Sequence, residues 1–361
     1  MSQTPTTMPG EQGGPEGMPT ADTATAPAEQ GLLSRWAEVM RTTNPPTGRL
    51  DPVSRWLVLT RAAVLPMTLT AGLVAGLLAV RKPGFSTGWY LLALAGILLA
   101  HVSNNLMNDL FDAEVGTDTN EYPRALYAPH PILSGLITRR GLATAAFVVN
   151  LADLAILIVL TWARGWPIIG FGVGGFLLSA AYTAPPLRLK KRGLGEPDVL
   201  IVWGPLMVGG TYFAAVGSIP WEVVLASIPY GLLCTAVLMG KHIDKIPWDG
   251  PDGTRTLPVL LGEARARRVT RGLMAGFYVL LVVCVAVRAL PWPALAALAG
   301  LPVLVRVWKA FGEPKPDAPP PRFPVWPLWF AAVAFLHTRR AGAFLVLGLA
   351  LAAGLGIRIS G

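Results

Sequence analysis

From residue 56 onward the chain is a series of apolar runs, each about as long as a helix must be to cross a membrane. The hydrocarbon layer is about 30 Å thick and a helix rises about 1.5 Å per residue, so one crossing takes roughly 20 residues. Such runs fall near residues 56–80, 89–107, 142–162, 167–182, 199–216, 221–239, 272–290, 292–308 and 341–357. Lipid offers the backbone no hydrogen-bond partner, so each run is predicted as a helix. The expected fold class is all-α: a polytopic membrane protein, a bundle of about nine transmembrane helices. A further stretch, 325–336, is apolar but short and contains Pro327, and it reads as an interfacial or half-inserted helix.

Charge is scarce and unevenly placed. Only 14% of the 361 residues are charged, against about 25% in soluble domains, which excludes an ordinary soluble domain. Lys and Arg total 30 against 21 Asp and Glu, a formal net charge of +9. In a membrane protein such an excess sits in cytoplasmic loops facing anionic lipid, so it does not point to nucleic acid as a partner. The two cysteines, Cys234 and Cys284, lie inside apolar runs, which argues against a disulfide framework or a zinc site. No basic residue precedes Arg35, and the first 30 residues are rich in Pro, Gly, Thr, Ala and Glu. A cleavable signal peptide needs a basic start and an apolar stretch, so residues 1–50 read as a disordered N-terminal tail and 51–361 as the transmembrane domain.

Basic residues gather after the second, fourth and sixth runs. These are Arg124, Arg139 and Arg140; then Arg188, Lys190, Lys191 and Arg192; then Lys241, Lys245, Arg255, Arg265, Arg267, Arg268 and Arg271. Arg35, Arg41, Arg49 and Arg55 precede the first run. Positive charge is retained inside, so the N-terminus and these three loops are expected to be cytoplasmic.

The acids share those loops. Asn108, Asp109, Asp112, Glu114 and Asp118 follow the second run, and Asp244, Asp249 and Asp252 follow the sixth. At about 100° per residue, His101, Asn105, Asn108 and Asp112 fall on one stripe that descends from the membrane interior to its edge, and such a stripe does not face lipid. One reading is solvated loop acids that balance neighbouring arginines. The other is a divalent-metal site for a diphosphate: Mg²⁺ takes hard oxygen ligands and keeps several waters, so one or two carboxylates per ion suffice beside phosphate oxygens. Two clusters at equivalent helix ends favour the second, with Asn108, Asp109, Asp112, Asp118, Asp244 and Asp249 as candidate ligands and Mg as cofactor. Gly116-Thr117-Asp118-Thr119 and Gly253-Thr254-Arg255-Thr256 echo each other four spans apart, the pattern of a half-repeat. Between the clusters, Lys190, Lys191 and Arg192 suit a diphosphate as point charges and forks, although topology alone also explains them.

These motifs resemble the UbiA superfamily of intramembrane prenyltransferases over nearly the whole chain from Trp56. Asn108, Asp109 and Asp112 occupy that family's first Asp-rich motif. Gly116 and Asp118 are similar to the branch that prenylates dihydroxynaphthoate in menaquinone synthesis, as are Tyr182, Pro186, Arg192 to Glu196, Gly204-Pro205, Gly210-Thr211-Tyr212 and Arg255 to Gly262. The second motif departs from the usual pattern. There an Asn-x-x-Arg precedes an Asp four residues before the next Asp, whereas here Gly240-Lys241-His242-Ile243 precedes Asp244 and the next acid is Asp249. Five helical residues turn through about 140°, so both carboxylates share a face only if Pro247 ends the helix between them.

The resemblance implies a bundle around a central cavity with a cytoplasmic mouth, in a bacterial plasma membrane. It also implies a polyprenyl diphosphate donor, an aromatic acceptor such as a dihydroxynaphthoate, and the lipid bilayer as surroundings. Asp112, Asp249 and Asp244 are the expected catalytic acids. Arg61, Asn105, Asn108, Arg124, Tyr182, Lys190, Lys191, Arg192, Lys241, Lys245 and Arg255 are the expected substrate-binding residues. Tyr182, Trp203 or Tyr212 would wall a carbocation, against the plainer reading of packing. Two alternatives stand beside this reading: a terpene cyclase on the same scaffold, and a transporter, which would instead place polar residues near the bilayer midplane. Asp153 in the third run is a costly intramembrane acid, either functional or hydrogen-bonded within the bundle, and His101 reads as a bundle residue rather than a metal ligand.

Overall fold

The computed structural model describes residues 31–43, 50–114, 121–321, 323 and 325–357, and among these residues every regular element is helical. Two helices precede the first span: α1 (Leu32–Thr42) and α2 (Pro52–Leu59). The first thus folds within the stretch expected to be tail. They join through Asp51, whose carboxylate caps α2 at the Val53 and Ser54 amides and also accepts from the Trp36 indole at 3.0 Å. Hydrogen bonds, the Ser54 hydroxyl's first, hold the Asp51 carboxyl well below its usual range.

The spans follow in order: α3 (Leu65–Ala79), α4 (Thr87–Glu114), the short α5 (Pro123–Tyr127), α6 (Arg139–Arg164) and α7 (Pro167–Thr183). Next come α8 (Gly195–Ile201) and α9 (Gly210–Val216), joined into one crossing by the wide turns of Val202–Gly209, which bend at Gly204-Pro205. They are followed by α10 (Trp221–Asp249), the short α11 (Leu257–Leu261), α12 (Glu263–Ala286), α13 (Leu301–Ala310), which the 3-10 segment Trp292–Gly300 leads into as one crossing, and α14 (Trp329–Gly354). Eight helical segments are long and apolar enough to cross a membrane, and α7, with 17 residues, is a shorter ninth. The protein is an integral, multi-pass membrane protein.

Two spans differ from the expected pattern. The run 56–80 is not one helix: it breaks at Arg61, which adopts a left-handed conformation (φ 52°) between α2 and a 3-10 turn, Ala62–Val64, leading into α3. At the other end, 325–336 is not a separate interfacial helix. Pro327 lies in the turn that precedes α14, and α14 runs unbroken past Arg339 and Arg340, the charged pair that divides the apolar run in the sequence.

Helix α10 is central: 72% of its most apolar window is buried, against 17% for α6, which lies at the periphery. It packs with α3, α12, α14 and the Gly195–Val216 crossing around a core that includes Tyr230, Leu233, Met239, Met274, Phe277 and Phe330. Small residues set the closest approaches. A Cβ on Gly240 of α10 would lie 2.6 Å from the Phe330 carbonyl oxygen, and one on Gly348 of α14 would lie 2.2 Å from that of Pro293. Gly348→Ala is therefore expected to cost about 1–3 kcal/mol through overpacking and to lower the unfolding midpoint in detergent. Gly354→Ala, where a methyl meets nothing within 4 Å, should leave that midpoint unchanged or slightly raised.

Candidate functional site

The C-terminal ends of α4 and α10 meet at one end of the bundle. Along α4, the i, i+4 pair Asn108 and Asp112 faces inward, and along α10 Lys241, Lys245 and Asp249 recur every four residues on one face. Between them opens a cavity lined by Arg61, Asn108, Asp112, Tyr122, Tyr127, Tyr182, Lys190, Lys241, His242, Lys245 and Asp249.

Each acid in this cavity is met by a donor. Lys190 Nζ donates to both Asp112 carboxylate oxygens, at 2.9 and 2.8 Å. It reaches them from a 3-10 turn, Leu189–Arg192, bracketed by left-handed Arg188 and Gly193. The Tyr122 hydroxyl donates to Asp249 Oδ1 at 2.6 Å, and Lys245 Nζ lies 3.2 Å from that hydroxyl and 4.3 Å from the ring centre. The Asn108 carboxamide donates to Asn104 at 3.0 Å and accepts from the Thr183 hydroxyl. His242 Nδ1 lies 2.7 Å from Glu196 Oε1, both residues being buried.

Several expected site residues do other work. Asp109 is fully buried beside Asp112, but it pairs with Arg61, with the His130 ring 4.0 Å away, and so ties the α2–α3 break to α4. Asn105 donates to the Thr60 carbonyl at 2.9 Å in the same break. His101 meets the Thr68 hydroxyl at 2.7 Å and the edge of Trp203, and Tyr212 is a core side chain. Asp153 lies against Gly96 of α4, away from the cavity. Lys191 stands 3.9 Å from exposed Asp252, Arg192 donates to the Pro186 carbonyl, and the exposed Arg255 donates its amide to the Lys191 carbonyl. These three lie beside the cavity rather than along its wall. Arg124 belongs to α5. Asp118 and the Gly116–Thr119 half of the repeat lie outside the described residues.

Asp244 is turned away from the cavity. Helix α10 does not end at Pro247 but continues to Asp249, so the 140° offset stands and Asp244 faces α14. Its carboxylate accepts the Phe330 and Ala331 amides at 3.0 and 2.8 Å, capping α14, with Lys315 Nζ 3.9 Å away. Burial holds the Lys315 ammonium below its usual value, against the attraction of Asp244. The position that turns inward in its place is Lys245. Tyr122 and Tyr127 carried no sequence signal, because they reach the cavity only through the packing of the loop after α4.

The chain is thus an all-helical, multi-pass bundle that opens a cavity lined by cations and carboxylates at one end. A sequence profile described as the UbiA prenyltransferase family matches residues 68–336. The chain is 26% identical over 252 residues to the 2-carboxy-1,4-naphthoquinone phytyltransferase of Synechocystis, covering 70% of this chain and 78% of that one. It is 31% identical over 258 residues to the 1,4-dihydroxy-2-naphthoate octaprenyltransferase of Mycobacterium tuberculosis, covering 70% and 84%. Among solved structures, an apo UbiA homologue from Aeropyrum pernix K1 shares the fold with a TM-score of 0.59 at 17% identity, covering 79% of this chain and 97% of that one. A UbiA homologue from Archaeoglobus fulgidus bound to GPP and Mg²⁺ does so with a TM-score of 0.56 at 15% identity, covering 81% and 99%. The chain belongs to the UbiA prenyltransferase family, and it is a prenyltransferase.

The acids divide by role, and stability measurements should separate them. Asp109→Ala removes the buried carboxylate that pairs with Arg61 and is expected to cost about 3–5 kcal/mol. Asp244→Ala removes a helix cap at a cost of about 0.5–2 kcal/mol. Asp112→Ala, at the cavity wall, is expected to leave the thermal midpoint in detergent near that of the wild type.

Proposed function

We propose that the protein transfers a polyprenyl group from its diphosphate to an aromatic acceptor of the dihydroxynaphthoate type, at the cytoplasmic edge of the membrane with its N-terminus inside. The observation that carries this reading is the cavity itself, where Arg61, Lys190, Lys241 and Lys245 face Asp112 and Asp249 at the mouth of an apolar bundle. With Arg61 paired to Asp109, three lysines against two carboxylates suit a polyanion. The apolar tail is better placed in lipid and bundle, by about 0.8 kcal/mol per CH₂. The acceptor class rests on the naphthoate substrates named for the relatives and on the matching motifs around Tyr182, Glu196 and Arg255.

The donor set fits magnesium: Asp112 and Asp249 offer carboxylate oxygens and Asn108 a carboxamide oxygen from two helices at one cavity. When bound there, Mg²⁺ supplies Lewis-acid neutralisation of the leaving diphosphate. The lysines hold the diphosphate as it departs, matching positive charge to the negative charge that grows when the allylic C–O bond breaks and its electron pair goes to oxygen. The Tyr182 ring, buried at the cavity wall, offers a π face to the allylic cation. An electron-rich ring carbon of the acceptor then forms the C–C bond, and the ring regains aromaticity by losing a proton or, from a carboxylated acceptor, carbon dioxide.

The test is purified protein in lipid nanodiscs with a polyprenyl diphosphate, dihydroxynaphthoate and Mg²⁺. The expected outcome is a prenylated, decarboxylated product by mass spectrometry, lost on chelation and restored by Mg²⁺. Asp112→Ala and Asp249→Ala are each expected to reduce turnover by about 100-fold or more without unfolding the protein. Near-normal turnover in both variants would remove the assignment of these acids. A cyclic hydrocarbon formed from the diphosphate alone would replace transfer with cyclisation.

A further inference from the structure

Two buried titratable side chains at the cavity take no part in holding the diphosphate. His242 of α10 lines the cavity, and its Nδ1 lies 2.7 Å from Oε1 of Glu196 at the start of α8. It belongs to the Gly240–Ile243 stretch in which the second motif departs from the usual pattern. Both side chains are only 2% exposed. An ionised carboxylate only accepts, so the proton in this contact sits on Nδ1 and the contact fixes the imidazole's orientation. Glu196 Oε2 is buried and has no hydrogen-bond partner among the described residues, so its carboxylate serves the imidazole alone. Nε2, the ring's other nitrogen, has no partner among the described residues either.

Depth and neighbours give this nitrogen its surroundings. Asp249 stands two turns further along the same face of α10, so His242 lies about 10 Å deeper in the bundle than that acid. Gly195 leaves room for two rings to converge: a Cβ there would meet Tyr182 Cε2 at 3.1 Å and His242 Cε1 at 3.7 Å. The imidazole therefore stands beside the Tyr182 ring, whose π face is offered to the allylic cation. A group that reaches Nε2 lies next to the place where the new C–C bond forms.

We infer that His242 Nε2 accepts a hydrogen bond from the acceptor's hydroxyl beside the ring carbon that is alkylated, with Glu196 as its positioning residue. This rests on the aromatic-acceptor reading above. A hydroxyl that donates to an imidazole nitrogen gains electron density at oxygen, and the ring passes that density to the adjacent carbon, the one that attacks the cation. The same bond fixes which edge of the acceptor faces Tyr182. A buried nitrogen left unpaired is costly, so such a site discriminates against analogues that lack the hydroxyl. The diphosphate suits Nε2 less well: its ionised oxygens have no proton to donate, and the cavity's lysines already offer them donors.

The test is steady-state kinetics of the full-length protein in nanodiscs with Mg²⁺, a polyprenyl diphosphate, and dihydroxynaphthoate or either of its monomethyl ethers. One ether blocks the hydroxyl beside the alkylated carbon and the other blocks the remote one. The wild type is expected to prefer the ether whose adjacent hydroxyl is free. H242F should cut that preference by about tenfold, which corresponds to 1.4 kcal/mol, while the KM for the diphosphate stays within about twofold of the wild type. E196A should cut it similarly, and E196Q, whose carboxamide oxygen still accepts from Nδ1, should restore part of it. If H242F fails to fold, H242Q and the Glu196 variants carry the comparison, with H242Q expected to show a reduced preference. Absence of the preference in the wild type, or an unchanged preference in the folded variants, would overturn the inference. So would a raised diphosphate KM with the preference intact, which would place His242 in the diphosphate clamp. Failure of the wild type to prenylate dihydroxynaphthoate itself would remove the acceptor reading and this inference with it, whereas transfer with an unchanged preference removes the inference alone.

Discussion

Helix α10 serves two surfaces with one run of charges, and the contact between Asp244 and the start of α14 settles which surface receives which charge. The Phe330 and Ala331 amides have no intrahelical partner, and a buried helix start without one is costly. Asp244 supplies both acceptors while Gly240, one turn earlier, lets the Phe330 backbone approach closely. With that face committed, the neighbouring stripe of the same helix, Lys241, Lys245 and Asp249, about 60–140° round from Asp244, faces the cavity. The rotation of one helix thus converts a mixed-charge sequence into a structural acid on one side and an anion-binding wall on the other.

A second constraint acts from α4. Arg61 holds a left-handed backbone that costs energy in a non-glycine residue, and it is retained where its guanidinium meets Asp109. The pair closes the cavity's floor with a neutralised charge and leaves Asp112, three residues later, to face the opening and Lys190. Adjacent acids in one motif thereby acquire different functions, one holding two helices together and the other available to a ligand. The cavity retains more cations than carboxylates, so its electrostatics favour an incoming polyanion over an empty state.

How much of this could be read in advance depends on whether the deciding interaction is local. The spans were legible because hydrocarbon thickness dictates helix length, and Asn108 and Asp112 were legible because a four-residue spacing on a long helix puts them on one face. The ends of the bundle were harder. Proline at 247 suggested a break that does not occur, because α10 continues beyond it, and this misplaced Asp244. Arg339 and Arg340 divided what is one helix in the fold, because a charge pair in an apolar run looks like a boundary until its side chains are seen to lie along the outer surface. Tyr122 and Tyr127 were invisible for a different reason: only the tertiary path of the loop after α4 brings them to Asp249 and its neighbours.

The departure from the usual second Asp-rich motif has a physical consequence in this light. With Asp244 committed to α14 and Lys245 facing inward, α10 presents one carboxylate and two ammonium groups to the cavity rather than two carboxylates. A carboxylate binds a diphosphate only through an intervening cation, whereas an ammonium group binds it directly. The α10 side of the cavity therefore leans on fixed protein charge, and the hard oxygen donors are shared between one acid from each of two helices. Under the proposed reaction the diphosphate would therefore lie against α10.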